Sequence, residues 1–228
     1  MKQIFSRLAV TTTIAVACMG AHAAETADLK VTGRILPGSC DLTLTNGGVV
    51  SYGDIVATDL SADSYKVLPE KQIDFSIACT APMKVSMQFS DAAQGSRVFT
   101  TAPSGTNLFN TASTAVAGLG TNTGKNIGAY GVRVVPDTSM TVDKTAVDVV
   151  SRDNGAGAWA KSPAGTLIAA AGTRAVSWAP AGQVAPIAGK LFAGKIGVQA
   201  VLNKSGDIGP TTDSFNLDGK GTLTITYL

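Results

Sequence analysis

Histidine is almost missing from this 228-residue chain, with His22 the single instance, and aromatic residues make up only 6% of it. Charge is sparse too: 15% of the residues are Asp, Glu, Lys or Arg. So few charges exclude a nucleic-acid binder that works by neutralising phosphates. Long hydrophobic runs are absent; the longest, at residues 8–17, is too short to span a bilayer as a helix. What remains is a chain that is 45% hydrophobic, with 25 glycines and an abundance of small and β-branched residues. That apolar share excludes wholesale disorder, and the length fits one generous domain or two cramped ones.

The N-terminus reads as a secretory leader over residues 1–23. Lys2 and Arg7 form a positive head, residues 8–17 an apolar stretch, and Ala21-His22-Ala23 a small-x-small cleavage signal. Cleavage between Ala23 and Ala24 would start the exported protein at Ala24. A rival reading takes Ala15-Val16-Ala17-Cys18 as a lipoprotein signal, but the leucine that opens such a box is missing.

Loss of the leader removes the only histidine and two basic residues, taking Lys+Arg from 18 to 16 against 16 acidic residues. It also removes Cys18, so Cys40 and Cys79 remain. Two cysteines in an exported chain read as one disulfide, with two buried thiols as the alternative. Closing a loop of that length would restrict the unfolded chain by about 4 kcal/mol. Two isolated cysteines without a histidine cannot complete a zinc site, so no metal and no cofactor is expected.

Two-residue alternation, the strand signal, recurs along the exported chain. Ala27, Leu29, Val31, Gly33 and Ile35 share one face of the first segment, and Asp28, Lys30, Thr32 and Arg34 share the other. Leu42 and Leu44 alternate next, and Asn46-Gly47-Gly48 predicts a turn before residues 49–52. Ile73, Phe75, Ile77 and Cys79 follow, then Val85, Met87 and Phe89. Tyr130, Val132 and Val134, a run from Phe192 to Leu202, and finally Leu223, Ile225 and Tyr227 complete the set. Strands that keep one polar face belong to antiparallel sheets, so the expected class is an all-β antiparallel sandwich. Residues 91–125 and 151–190 interrupt the pattern and read as long connections, the second with a short element at 167–171. The second holds Trp159 and Trp178.

Catalytic constellations are missing. No histidine survives to activate Ser or Cys, and no Ser-x-x-Lys occurs. Gly118-Leu119-Gly120 lacks the further glycine spacing of a phosphate loop and reads as a linker. Ser214, Asn216 and Asp218 imitate a calcium loop, whose last ligand would fall on Ile225. The expectation is a protein that is not an enzyme.

Four pieces carry a family resemblance besides the leader. They are Asp28-Leu-Lys-Val-Thr-Gly-Arg-Ile-Leu-Pro-Gly-Ser-Cys40, Gly47-Gly-Val-Val-Ser-Tyr-Gly53, Ile77-Ala-Cys79 and Gly221-Thr-Leu-Thr-Ile-Thr-Tyr-Leu228. In this order they resemble the fimbrial subunits (pilins) of the bacterial chaperone–usher pathway, in particular a poorly characterised β-fimbria-like branch. The resemblance covers the two ends and the cysteine region, about half of the exported chain.

It implies an incomplete immunoglobulin-like β-sandwich at residues 37–228, missing its last strand, preceded by a donor-strand extension at residues 24–36. A periplasmic pilus chaperone would fill the open groove first, and the extension of a neighbouring fimbrial subunit would replace it at the outer-membrane usher. Ala27, Leu29, Val31, Gly33 and Ile35 would be the donor residues, with Gly33 filling its pocket lightly. Leu223, Ile225, Tyr227 and Leu228 would form the groove edge and the chaperone contact, and Cys40–Cys79 would join the first two strands. The family's C-terminal glycine has three candidates, Gly209, Gly219 and Gly221, and none aligns cleanly.

The resemblance thus implies export through the periplasm to a surface fimbrium, as a structural or minor subunit polymerising by donor-strand exchange. The alternative is a tip subunit that binds a host or surface ligand through its long loops, with Trp159 and Trp178 stacking on a sugar. An outer-membrane β-barrel is disfavoured because strand spacing is irregular and the chain does not end on an aromatic residue.

Overall fold

The structure is a computed structural model that describes residues 27–35, 38–103, 105–112 and 114–228. The leader and its cleavage residues Ala23 and Ala24 lie outside the described residues. The chain divides into two units, Met1–Leu36 and Pro37–Leu228. In the first unit, residues 27–35 form neither helix nor strand, and every side chain is exposed.

The second unit is all-β. Its strands are β1 (Cys40–Leu44), β2 (Lys66–Val67), β3 (Lys71–Met83), β4 (Val85–Asp91), β5 (Ala117–Gly118), β6 (Thr121–Asn122) and β7 (Lys125–Asn126). They continue with β8 (Gly128–Val134), β9 (Thr141–Val142), β10 (Thr145–Asp153), β11 (Ala160–Lys161), β12 (Arg174–Pro180), β13 (Gly189–Leu202) and β14 (Gly221–Tyr227).

All pairings are antiparallel. One path of hydrogen-bonded neighbours runs β1-β3-β13-β9-β10-β12-β4-β14. β8 pairs with β13 and carries β5 at its other edge. The path begins on β1 and ends on β14, so the layer curls into an open near-barrel whose two free edges belong to these strands. Only Lys84 separates β3 from β4, and there the chain passes from one end of the path to the other.

Within this unit the alternating residues of the central strands face inward. Ile73, Phe75, Ile77, Val85 and Met87 are buried and surround Trp178 and Phe192. Trp178 is fully buried, its ring centroid 5.1 Å from Phe192 and 5.9 Å from Phe75. Its indole N–H donates to Met140 Sδ at 3.1 Å, which satisfies the one polar atom it brings inside.

The two long connections are more ordered than their composition predicts. Within 151–190, the expected element at 167–171 is not a strand; β12 takes that place at Arg174–Pro180, paired with β10 and β4. Ala175, Val176, Trp178 and Ala179 are all buried, so β12 has no polar face and no alternation to read. The Ser177 hydroxyl, buried among them, donates to the Val85 carbonyl at 2.7 Å.

Within 91–125, Ala102, Leu108, Phe109 and Val116 form a second cluster with Ala129 of β8 and Val201 of β13. This cover buries β8 on both faces. The Asp91 carboxylate gathers the ends of the connection, accepting from the N–H groups of Ala93 (2.8 Å) and Gly118 (3.0 Å). Gly118-Leu119-Gly120 is therefore no linker: Gly118 ends β5 and Leu119 is buried.

Trp178→Ala should destabilise the domain by about 3–5 kcal/mol, the usual cost of emptying a large aromatic site. Urea unfolding followed by circular dichroism checks this, as a lower midpoint with an unchanged slope.

Candidate functional site: an open groove between two sheet edges

The two ends of the sheet path face each other. β1 pairs with β3 alone and β14 with β4 alone among the described residues, so each keeps an unpaired backbone edge. At one end they are joined: the Cys40 N–H donates to the Tyr227 hydroxyl oxygen at 2.9 Å. Beyond that contact a groove opens between the edges, lined by Leu44 of β1 and by Gly221 and Leu223 of β14. Its floor is made from inward-facing residues across the barrel, including Ile73, Phe89, Tyr130, Val132, Ile196 and Val198.

Sequence chemistry shapes both walls. On one side the chain leaves β1 through Asn46 and Gly47, both with positive φ (53° and 61°), a conformation that Asn and Gly tolerate best. Residues 49–52, which follow the turn, run on without a pairing partner among the described residues. Val50 and Tyr52 turn into the groove, and the Tyr52 hydroxyl donates to the Val198 carbonyl at 3.0 Å. On the other side Leu223 and Ile225 are half-buried toward the core while Thr222, Thr224 and Thr226 face solvent. The groove continues between 49–60 and 208–217 over Ile55, Leu60, Ile208 and Phe215.

Small residues keep it open. A Cβ on Gly219 would stand 2.7 Å from the Tyr130 ring, and one on Gly221 would collide with Phe89. Of the three glycines considered from the sequence, these two line the groove. Gly209, at φ +94°, packs instead against Thr123 and Asn122.

The disulfide forms between Cys40 and Cys79, a directly opposed pair in the β1–β3 ladder. It ties the free-edged β1 covalently to β3. Tyr227 and Leu228 are exposed, and the Leu228 N–H donates to the Lys84 carbonyl at 3.0 Å, extending the β14–β4 ladder to the last residue. Leu29, Val31 and Ile35 are 91%, 89% and 98% exposed, and Ala27 and Gly33 are exposed as well. Trp178, buried in the core, cannot stack on a sugar; Trp159 is half-exposed beside Arg152. The groove residues Leu119, Tyr130 and Leu217 were not singled out for a site by sequence pattern, because their convergence depends on strands far apart in the chain.

Comparison with known proteins adds a relative and a family. Residues 29–131 match the family described as "Protein of unknown function (DUF1120)". The chain is similar to Protein GltF of Escherichia coli (strain K12). The two are 26% identical over 259 residues, spanning 100% of this chain and 99% of that protein. The family match takes in β1, the disulfide and the first groove wall.

Burial against the groove floor pushes the Tyr52 phenol up to about 12 and raises that of Tyr130 as well. A raised phenol contributes its stability in full below the unfolded value of 10.0 and loses it as pH climbs toward the folded value. Thermal stability should therefore fall between about pH 10 and 12, and Tyr52→Phe should flatten that decline. Melting curves across the alkaline range check this.

Proposed function

We propose that this protein is a structural or minor subunit of a chaperone–usher surface fimbria, and that it polymerises by donor-strand exchange. In this reading residues 37–228 form an incomplete immunoglobulin-like domain, and the groove is the place of its missing strand. The observation that carries the reading is the pair of unpaired edges on β1 and β14 with an apolar floor between them. An exposed edge of this kind invites strand addition, and native proteins otherwise cover or blunt it.

The occupant is residues 25–36 of another subunit. Its apolar face at Leu29, Val31 and Ile35 is exposed in the first unit and suits a floor of aliphatic and aromatic side chains. Each of these side chains contributes about 1.5–3 kcal/mol on full burial. The threonine face of β14 stays in water when the strand is added, so main-chain hydrogen bonds supply affinity and the pockets supply register. Export through the periplasm, capture by a pilus chaperone at the β14 edge and delivery to an outer-membrane usher belong to the same reading.

A synthetic peptide of residues 25–36 tests it. Added to a chain that lacks those residues, it should raise the melting temperature with a saturable dose dependence, since a ligand of the native state stabilises by mass action. A peptide with Leu29, Val31 and Ile35 changed to Ser should not. Gly33→Leu in the full chain should slow polymerisation, because overpacking a shallow pocket costs about 1–3 kcal/mol. Equal stabilisation by both peptides, or unaltered polymerisation by Gly33→Leu, would end the donor-strand reading.

A further inference from the structure

Apart from the groove, a separate depression lies next to the C-terminus, walled by Lys84, Gln88, Arg152, Trp159, Thr226 and Tyr227. Arg152 on β10 places its guanidinium carbon 4.7 Å from the centroid of the Trp159 ring. Stacking on indole holds a guanidinium in plane and leaves its donors to point outward from the edge. Its Nε is buried and has no hydrogen-bond partner, the one such side-chain nitrogen or oxygen among the described residues. A buried donor without an acceptor is rare in a native fold and calls for an explanation. Neither Arg152 nor Lys84 joins an ion pair among the described residues.

The depression thus combines two cations that join no ion pair among the described residues, one unmet donor, an amide, a hydroxyl and two partly exposed aromatic rings, with Leu228 at its rim. We propose that it binds a carboxylate-bearing sugar residue of the uronic acid type. The carboxylate meets the Arg152 edge side-on, the geometry in which a guanidinium gives two parallel charge-assisted hydrogen bonds. Lys84 adds charge, while the Gln88 amide and the Thr226 hydroxyl meet ring hydroxyls. The apolar face of the sugar lies on Tyr227, whose ring is half-exposed. Because Nε is covered, the carboxylate reaches it only when the side chain over it moves aside. An acidic peptide would use the cations but not the ring faces and hydroxyl partners together, which is why a sugar is favoured. The depression lies outside the groove itself, although Thr226 and Tyr227 belong to its edge strand β14, and the inference does not need strand exchange to occur.

The experiment is a tryptophan-fluorescence titration of the full exported chain with D-glucuronate, using glucose and glutamate as controls. Trp178 is fully buried and supplies a constant background, so a change reports Trp159. Glucuronate should give a saturable change and the controls none. Trp159→Phe should remove the signal, and Arg152→Gln should weaken binding about tenfold or more, the effect of losing one charge-assisted hydrogen bond. Should Arg152→Gln fail to fold, Lys84→Gln on the exposed lysine replaces it, with weakening of about threefold or more. The proposal is overturned by no saturable response to glucuronate, by an equal response to glucose or glutamate, or by unchanged affinity in the charge variants.

Discussion

A backbone edge that finds no partner is the constraint on which the rest of this structure depends. The hydrogen-bonded path starts at β1 and stops at β14, and among the described residues no strand closes it. Everything near the gap is arranged around that deficit. Two glycines, Gly219 and Gly221, keep the wall low, and Tyr227 bridges the edges at one point. The disulfide holds the weaker edge strand, five residues long, against a thirteen-residue neighbour. The interior is apolar up to the opening, and side chains such as Tyr130 and Val132 belong to the core and to the groove floor at once.

Much of the fold was legible in the sequence, for a definite reason. Strands with one wet face, such as β3 and β14, advertise themselves by alternation, and the two cysteines could pair only with each other once the leader was set aside. Strands buried on both faces do not advertise themselves. β12 reads as Ala175-Val176-Ser177-Trp178-Ala179, without alternation, and its place in a run of alanine and glycine concealed it further. The segment around Leu108 and Val116 looked like a polar connection because its apolar residues are spaced irregularly. They meet only when the chain folds back onto β8 and β13.

The candidate site was half legible. Its edges at Leu44, Leu223 and Ile225 lie on strands that pattern reveals, and family resemblance pointed to the same ends of the chain. The floor was not legible, because it draws single residues from β3, β4, β8 and β13 together with Leu119 and Leu217 from irregular segments. No local spacing encodes such a convergence. Trp178, which sequence leaves open between burial and a surface role, anchors the centre, where Met140 accepts its indole N–H.

The position of the disulfide has a mechanical consequence. Three residues separate Leu36, the last residue of the first unit, from Cys40, so tension applied to residues 27–35 enters the domain almost at the crosslink. From Cys40 the load passes through a covalent bond to Cys79, beside the register shift in the β3–β13 ladder. β1 therefore cannot be peeled away one hydrogen bond at a time. A pull from the N-terminal side is then borne by β3, which is held to β13 at nine paired positions.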